Sequence, residues 1–200
     1  MISGDTSAQL RRMRPADVHA VVDSHIQSFS HGFYSRLGHD FKVRYVREHL
    51  RSPAAVAFSA VDPRTGMVIG YLLGSLDDDQ HRAHKARHAT VPLARAGVAA
   101  LRRRPDAGTV EDAPRSAELL FFFVASVDRL RGAGAALHDA DAHQATESAA
   151  TQLHLVTEVG NTVPIDFYQR RGWIVAAEVR GRDGRRLVRM VKRLEGAVSR

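Results

Sequence analysis

The sequence predicts an α/β fold in one domain, a mixed β-sheet flanked by helices. Three observations predict it. Apolar residues recur at helical spacing in some segments and fill strand-length runs in others, in the order β-α-α-β-β, then β-α-β-α-β-β. One run, Leu119 to Val124, is apolar on both faces, as a strand in the middle of a sheet is. The 200 residues are 44% hydrophobic and 26% charged, an ordinary globular balance that supports a sizeable core.

Residues 8–14 alternate weakly and make a first strand. Pro15 suits the first turn of a helix, and Val18, Val21, Val22, His25, Ile26 and Phe29 follow at helical spacing. A second helix carries Phe41, Tyr45, Val46 and Leu50 on one stripe and ends before Pro53. Residues 56–61 and 67–76 form a hairpin, because Asp62-Pro63-Arg64-Thr65-Gly66 between them has the residues of a tight turn. Asp77-Asp78-Asp79 then marks an exit, and residues 77–116 read as an insertion whose helical periodicity lies in 92–104, through Leu93, Val98 and Leu101. The central strand is 118–126, followed by a helix over 132–150 rich in small residues and a strand over 153–158. A short helix over 164–171 and strands over 172–179 and 185–194 complete the chain.

The formal net charge is +7 and the pI about 10.5. Seven cations without an acid lie between His81 and Arg104: Arg82, Lys85, Arg87, Arg95, Arg102, Arg103 and Arg104. They equal the excess of the whole chain, so an acidic partner would meet the protein here. Aromatic residues are missing between these cations, which argues against nucleic acid, where bases stack on rings. His81, His84 and His88 have spacings that suit a helix face, but the flanking cations would repel a divalent ion, and no metal is expected. Cysteine is absent, which removes disulfides, thiolate metal sites and a cysteine nucleophile. No apolar run approaches the ~20 residues of a membrane helix, and residues 1–14 lack a signal-peptide stretch. A cytoplasmic location is the default expectation.

The sharpest local signal is Arg131-Gly132-Ala133-Gly134-Ala135-Ala136-Leu137, between a buried strand and a helix. A helix N-terminus offers backbone N–H groups and a positive dipole end, and small residues let a pyrophosphate approach them. A glycine pair in such a turn is more often plain turn chemistry. Downstream, Asn161 follows the next strand, and Phe167-Tyr168-Gln169-Arg170-Arg171-Gly172-Trp173 comes shortly after. Together these resemble the GNAT acetyltransferases, whose pattern is an Arg/Gln-x-x-Gly-x-Gly/Ala loop, then an Asn, then a Phe/Leu-Tyr-x-x-x-Gly-Phe segment. The likeness covers residues 118–173 and fits the strand order of the rest.

The resemblance implies a sheet whose two central strands splay apart around pantetheine, and an acyl-CoA cofactor, most simply acetyl-CoA. It implies pyrophosphate on the turn Gly132, Ala133, Gly134, Ala135, Ala136 and Leu137, with Arg131 and Asn161 beside it. It implies an enzyme that moves an acyl group to the amine of a small molecule. Tyr168 matches the family's proton donor to the leaving thiolate. Backbone N–H groups at Val124, Ala125 and Ser126 would serve the oxyanion and the pantetheine amides. The family often has a carboxylate five residues before the Asn. Val156 stands there, so Glu118, opening the central strand, is the candidate base. His25, Phe29, Phe33 and Tyr34 are candidate acceptor-binding residues, and they suit a core equally well. Two alternatives stay open: a phosphopantetheine-bearing acyl carrier protein as donor, met by the basic insertion, and an inactive scaffold that senses a ligand. A homodimer is compatible with all of these.

Overall fold

The computed structural model describes residues 7–29, 37–88, 115–125, 132–181 and 183–194. Among these, seven strands form one sheet in the order β1-β2-β3-β4-β5-β7-β6. The strands are β1 (Gln9–Arg12), β2 (Ala55–Val61), β3 (Val68–Ser75), β4 (Ser116–Val124), β5 (Gln152–Glu158), β6 (Ile174–Arg180) and β7 (Arg186–Arg193). The helices are α1 (Val18–Ser28), α2 (His39–Arg51), α3 (Asp78–His88), α4 (Ala133–Glu147) and α5 (Thr162–Gln169), with a 3-10 turn at Pro15–Asp17. The sequence-derived order of elements holds. Neighbouring strands are antiparallel except β4 and β5.

Period-two alternation divides the sheet into two faces. On one face Val56, Phe58, Ala60 and Leu72 join Ala117, Leu119 and Val124 beneath α4 and α5, with Leu137, Tyr168 and Trp173. On the other, Ala57, Tyr71, Leu73, Phe121 and Phe123 meet Val18, Val21 and Val22 of α1 and Val43, Tyr45 and Val46 of α2. Removing the Leu137 side chain, fully buried, to Ala would cost about 2–5 kcal/mol. β4 changes parity along its length: 117 and 119 share the α4 face with 122 and 124. A β-bulge supplies the extra residue, since Leu73 pairs with Phe121 but Gly74 with Leu119.

The insertion departs from expectation at its start. Asp77 caps α3, its Oδ1 accepting from Gln80 N–H at 2.8 Å, so the acidic triplet begins a helix rather than ending an element. Its buried positions include Asp78 and His81, polar residues that a search for apolar periodicity passes over. His81 donates to or accepts from Ser52 Oγ at 2.8 Å and packs on His49 with ring centres 4.6 Å apart. The helix expected over 92–104 lies outside the described residues, as do Arg95, Arg102, Arg103 and Arg104.

Candidate active site

The parallel pairing of β4 with β5 covers only Ser116–Gln152, Ala117–Leu153 and Glu118–His154. Beyond Glu118 the two strands part, at the level of the bulge in β4. Ala125 N–H donates to Ile69 carbonyl at 2.8 Å and is therefore spent on β3. By alternation the N–H groups of Val124 and Phe122 point the other way, into the opening. Of the backbone donors expected at the end of β4, Ala125 is taken up by β3. Ser126 lies outside the described residues.

α4 starts at the open end of β4. Gly132 takes φ 74°, a left-handed conformation natural to glycine, and Ala136 N–H is the first to be taken up, by Gly132 carbonyl at 3.0 Å. Helix geometry thus leaves the N–H groups of Gly132, Ala133, Gly134 and Ala135 for a ligand, while Ala136 and Leu137 have theirs inside the helix. This narrows the expected pyrophosphate turn to four residues. The side chains of Ala133 and Leu137 belong to the core. A Cβ on Gly134 would meet Phe122, Phe167 and Val124 at 3.7 Å, so this glycine faces packing rather than the ligand. Asn161 precedes α5, is exposed, and donates from Nδ2 to Thr157 Oγ1 at 3.2 Å. Arg131 lies outside the described residues.

Tyr168 comes from α5 and is buried beneath α4, its ring 6.2 Å from Phe122 and 5.3 Å from Trp173. Trp173 donates from Nε1 to His138 Nε2 at 2.9 Å, which leaves the proton on Nδ1 for Asp139, and this bond ties α4 to the residues after α5. Burial, and then the nearby charge of Asp141, push the Tyr168 phenol well above its ordinary value.

On the other face, Glu118 meets Asp78 of α3 and His154 of β5, with one ligand-type atom from each lying within 4.8 Å of the others. Asp78 Oδ2 lies 3.3 Å from His154 Nε2. Ser75 donates to Asp78 Oδ1 at 2.5 Å, and Ser116 Oγ is 2.9 Å from His154 Nδ1. An Asp–Glu–His set of this kind has the donors to hold a divalent cation. It also forms a connected acid–base cluster at the start of the opening. Tyr168 and Glu118 therefore lie on opposite faces of the sheet. His154, on the strand beside Glu118, is within reach of a reading of the sequence, but Asp78 does not stand out, because no local pattern joins a helix start to residues of two strands.

Of the predicted acceptor residues, His25 and Phe29 lie together. His25 is buried, with Nδ1 2.8 Å from Tyr71 Oη, and its ring lies 4.6 Å from that of Phe29 and 4.9 Å from that of Phe121. Burial and then Lys42 push it down to about 4, so it is a neutral core histidine. Phe29 is half-buried at the edge of this aromatic group. Phe33 and Tyr34 lie outside the described residues.

Solved structures share this architecture. A GCN5-related N-acetyltransferase from Kribbella flavida superposes with a TM-score of 0.64 at 19% identity, covering 94% of this chain and 98% of that one. The chain has the GNAT fold. Chaetomium thermophilum Naa20, solved with a bisubstrate analogue, gives 0.65 at 20% identity over 96% of this chain and 90% of its own. The NatC complex bound to Gag peptide and CoA gives 0.63 at 11% identity over 94% and 99%. No protein-family model matches the sequence, nor does any curated protein. Among the described residues no helix is long and apolar enough to cross a membrane.

Proposed function

We propose that the protein is an acyl-CoA-dependent N-acyltransferase that moves an acetyl group from acetyl-CoA to an amine. One observation carries the reading: β4 and β5 part immediately beyond Glu118 and His154, and the first turn of α4 lies against the end of β4, where Gly134 faces Phe122 and Val124. The N-acetyltransferases that share the fold support it.

In this reading pantetheine lies in the gap and pairs with the edge of β4 as an added strand would. The pyrophosphate sits on the N–H groups of Gly132 to Ala135, where the helix dipole favours negative charge. Glu118 takes the proton of the attacking amine, directly or through water. The amine nitrogen then bonds to the thioester carbon. The oxyanion that forms is met by a backbone N–H at the splayed end of β4, and collapse expels the thiolate of CoA. Tyr168 gives that thiolate its proton. Desolvation raises the phenol, but it raises a thiol in the same gap as well, so the transfer between them stays feasible.

Calorimetry with acetyl-CoA tests the cofactor site through Ala135→Glu. A carboxylate in the first turn favours the helix by ~0.3–1 kcal/mol and opposes a pyrophosphate on the same turn. Affinity is expected to fall at least about 10-fold, equivalent to ~1.4 kcal/mol, with thermal stability equal or higher. Unchanged affinity would remove the pyrophosphate from this turn. Turnover is read as released CoA thiol with a thiol reagent, since the chain has no cysteine to contribute background.

A further inference from the structure

His138 sits in the second turn of α4, 2% exposed, and is hydrogen-bonded at both ring nitrogens. Nδ1 lies 2.9 Å from Asp139 Oδ1 and carries the proton, since a carboxylate only accepts. Nε2 therefore holds a lone pair, and it accepts from Trp173 Nε1 at 2.9 Å. Burial pushes His138 below its ordinary value, so the ring stays neutral and keeps this arrangement near neutral pH.

Trp173 in turn bears on Tyr168 in two ways. The chain turns back after α5, where Gly172 takes φ 81°. This brings Trp173 N–H to the Tyr168 carbonyl at 3.2 Å, beside Arg171 N–H at 2.8 Å. The indole then packs against the phenol, with ring centres 5.3 Å apart. Phe167 meets His138 and Tyr168 edge-on, with ring centres 6.0 and 5.4 Å away. Phe122, on the part of β4 that has left β5, lies 6.2 Å from the Tyr168 ring.

Packing alone does not require a histidine here. Leu at 138 and Phe at 173 would fill similar space with no buried imidazole or indole N–H to satisfy. The polar pair adds direction. Dispersion contacts let an indole tilt or slide, whereas a 2.9 Å hydrogen bond holds it along one line. A reacting group misplaced by ~1 Å can cost ~10²-fold in rate.

We propose that His138 is a positioning residue for Tyr168, acting through Trp173: the His138–Trp173 hydrogen bond fixes the indole that aims the phenol at the leaving thiolate. This rests on Tyr168 as the proton donor.

The experiment compares wild type, His138→Leu, His138→Gln, the double variant His138→Leu with Trp173→Phe, and Tyr168→Phe with and without His138→Leu. It reads kcat, KM for acetyl-CoA and the thermal midpoint. His138→Leu should lower kcat about 10-fold with KM within about 2-fold of wild type. Its midpoint should fall, because the indole N–H is left buried without an acceptor. His138→Gln offers Oε1 as the acceptor and should hold kcat within about 2-fold of wild type. The double variant removes both polar groups, so its midpoint should return toward wild type. Its kcat should stay about 10-fold low, which a merely structural pair would not show. In the Tyr168→Phe background, His138→Leu should add little. Wild-type kcat in His138→Leu, a His138→Gln as slow as His138→Leu, or a double variant that regains rate together with stability overturns the proposal. So does an undiminished effect of His138→Leu in the Tyr168→Phe background. Wild-type turnover in Tyr168→Phe overturns the donor reading and this inference together. A slow Tyr168→Phe beside a normal His138→Leu overturns this inference alone.

Discussion

Acidification should unfold this protein early, and the slope can be worked from four buried groups. His25, His49 and His81 are 5%, 0% and 3% exposed. Burial, with Lys42 acting on His25 and Lys85 on the other two, lowers them to about 4, 3 and 2 from 6.5. Above pH 6.5 they are neutral in both folded and unfolded chains and cost nothing. Below it the unfolded chain binds three protons that the fold refuses. Each costs ~1.4 kcal/mol per pH unit until its folded value is reached. Asp141 acts in the opposite sense. Raised to about 7 from 3.8, it binds a proton in the fold first, so its share of stability is lost as pH rises and regained as pH falls through that window. Three protons against one leave a net two, or ~2.7 kcal/mol per unit and ~4 kcal/mol between pH 6.5 and 5. That is a large part of the 5–15 kcal/mol that a domain typically has. Urea unfolding at half-unit steps of pH measures the slope. Asp141→Asn should steepen it by about one proton, and His81→Asn should make it shallower by about one. A free energy of unfolding that stays flat from pH 6.5 to 5, or slopes unmoved by both substitutions, would refute the reasoning.

Further expectations follow from the gap and its walls. Tyr168→Phe should lower kcat by ~10² or more while leaving acetyl-CoA affinity near wild type, measured by steady-state kinetics and calorimetry. Gly74→Ala should be destabilising by about 1–3 kcal/mol, because its Cβ would stand 2.7 Å from the Glu118 carbonyl, a backbone atom. Gly134→Ala should be tolerated, since its Cβ makes only ordinary 3.7 Å contacts, and thermal melts of the two variants separate the cases. A chelator should leave turnover unchanged, because the proposed chemistry uses Asp78, Glu118 and His154 as an acid–base cluster. Activity lost to chelator and restored by a divalent ion would reassign that cluster as a metal centre.

Local chemistry in the sequence was enough for the order of elements. The β2–β3 hairpin follows from its turn, where Gly66 takes φ 71° and Asp62 Oδ1 accepts from Arg64 N–H at 2.8 Å. The start of α4 follows from its small residues. These are effects of neighbours in the chain. Contacts between distant segments decided the rest. Apolar periodicity located neither α3, whose buried residues include Asp78 and His81, nor the parity change in β4, which depends on how Gly74 pairs. Ala125 looked like a donor until β3 took its N–H. Asp141 resembles any polar residue of a helix in the sequence. It becomes a buried carboxyl only because a glycine 67 positions earlier leaves it room. Burial and the alignment of groups from separate strands are properties of packing, and packing joins residues that the chain itself keeps apart.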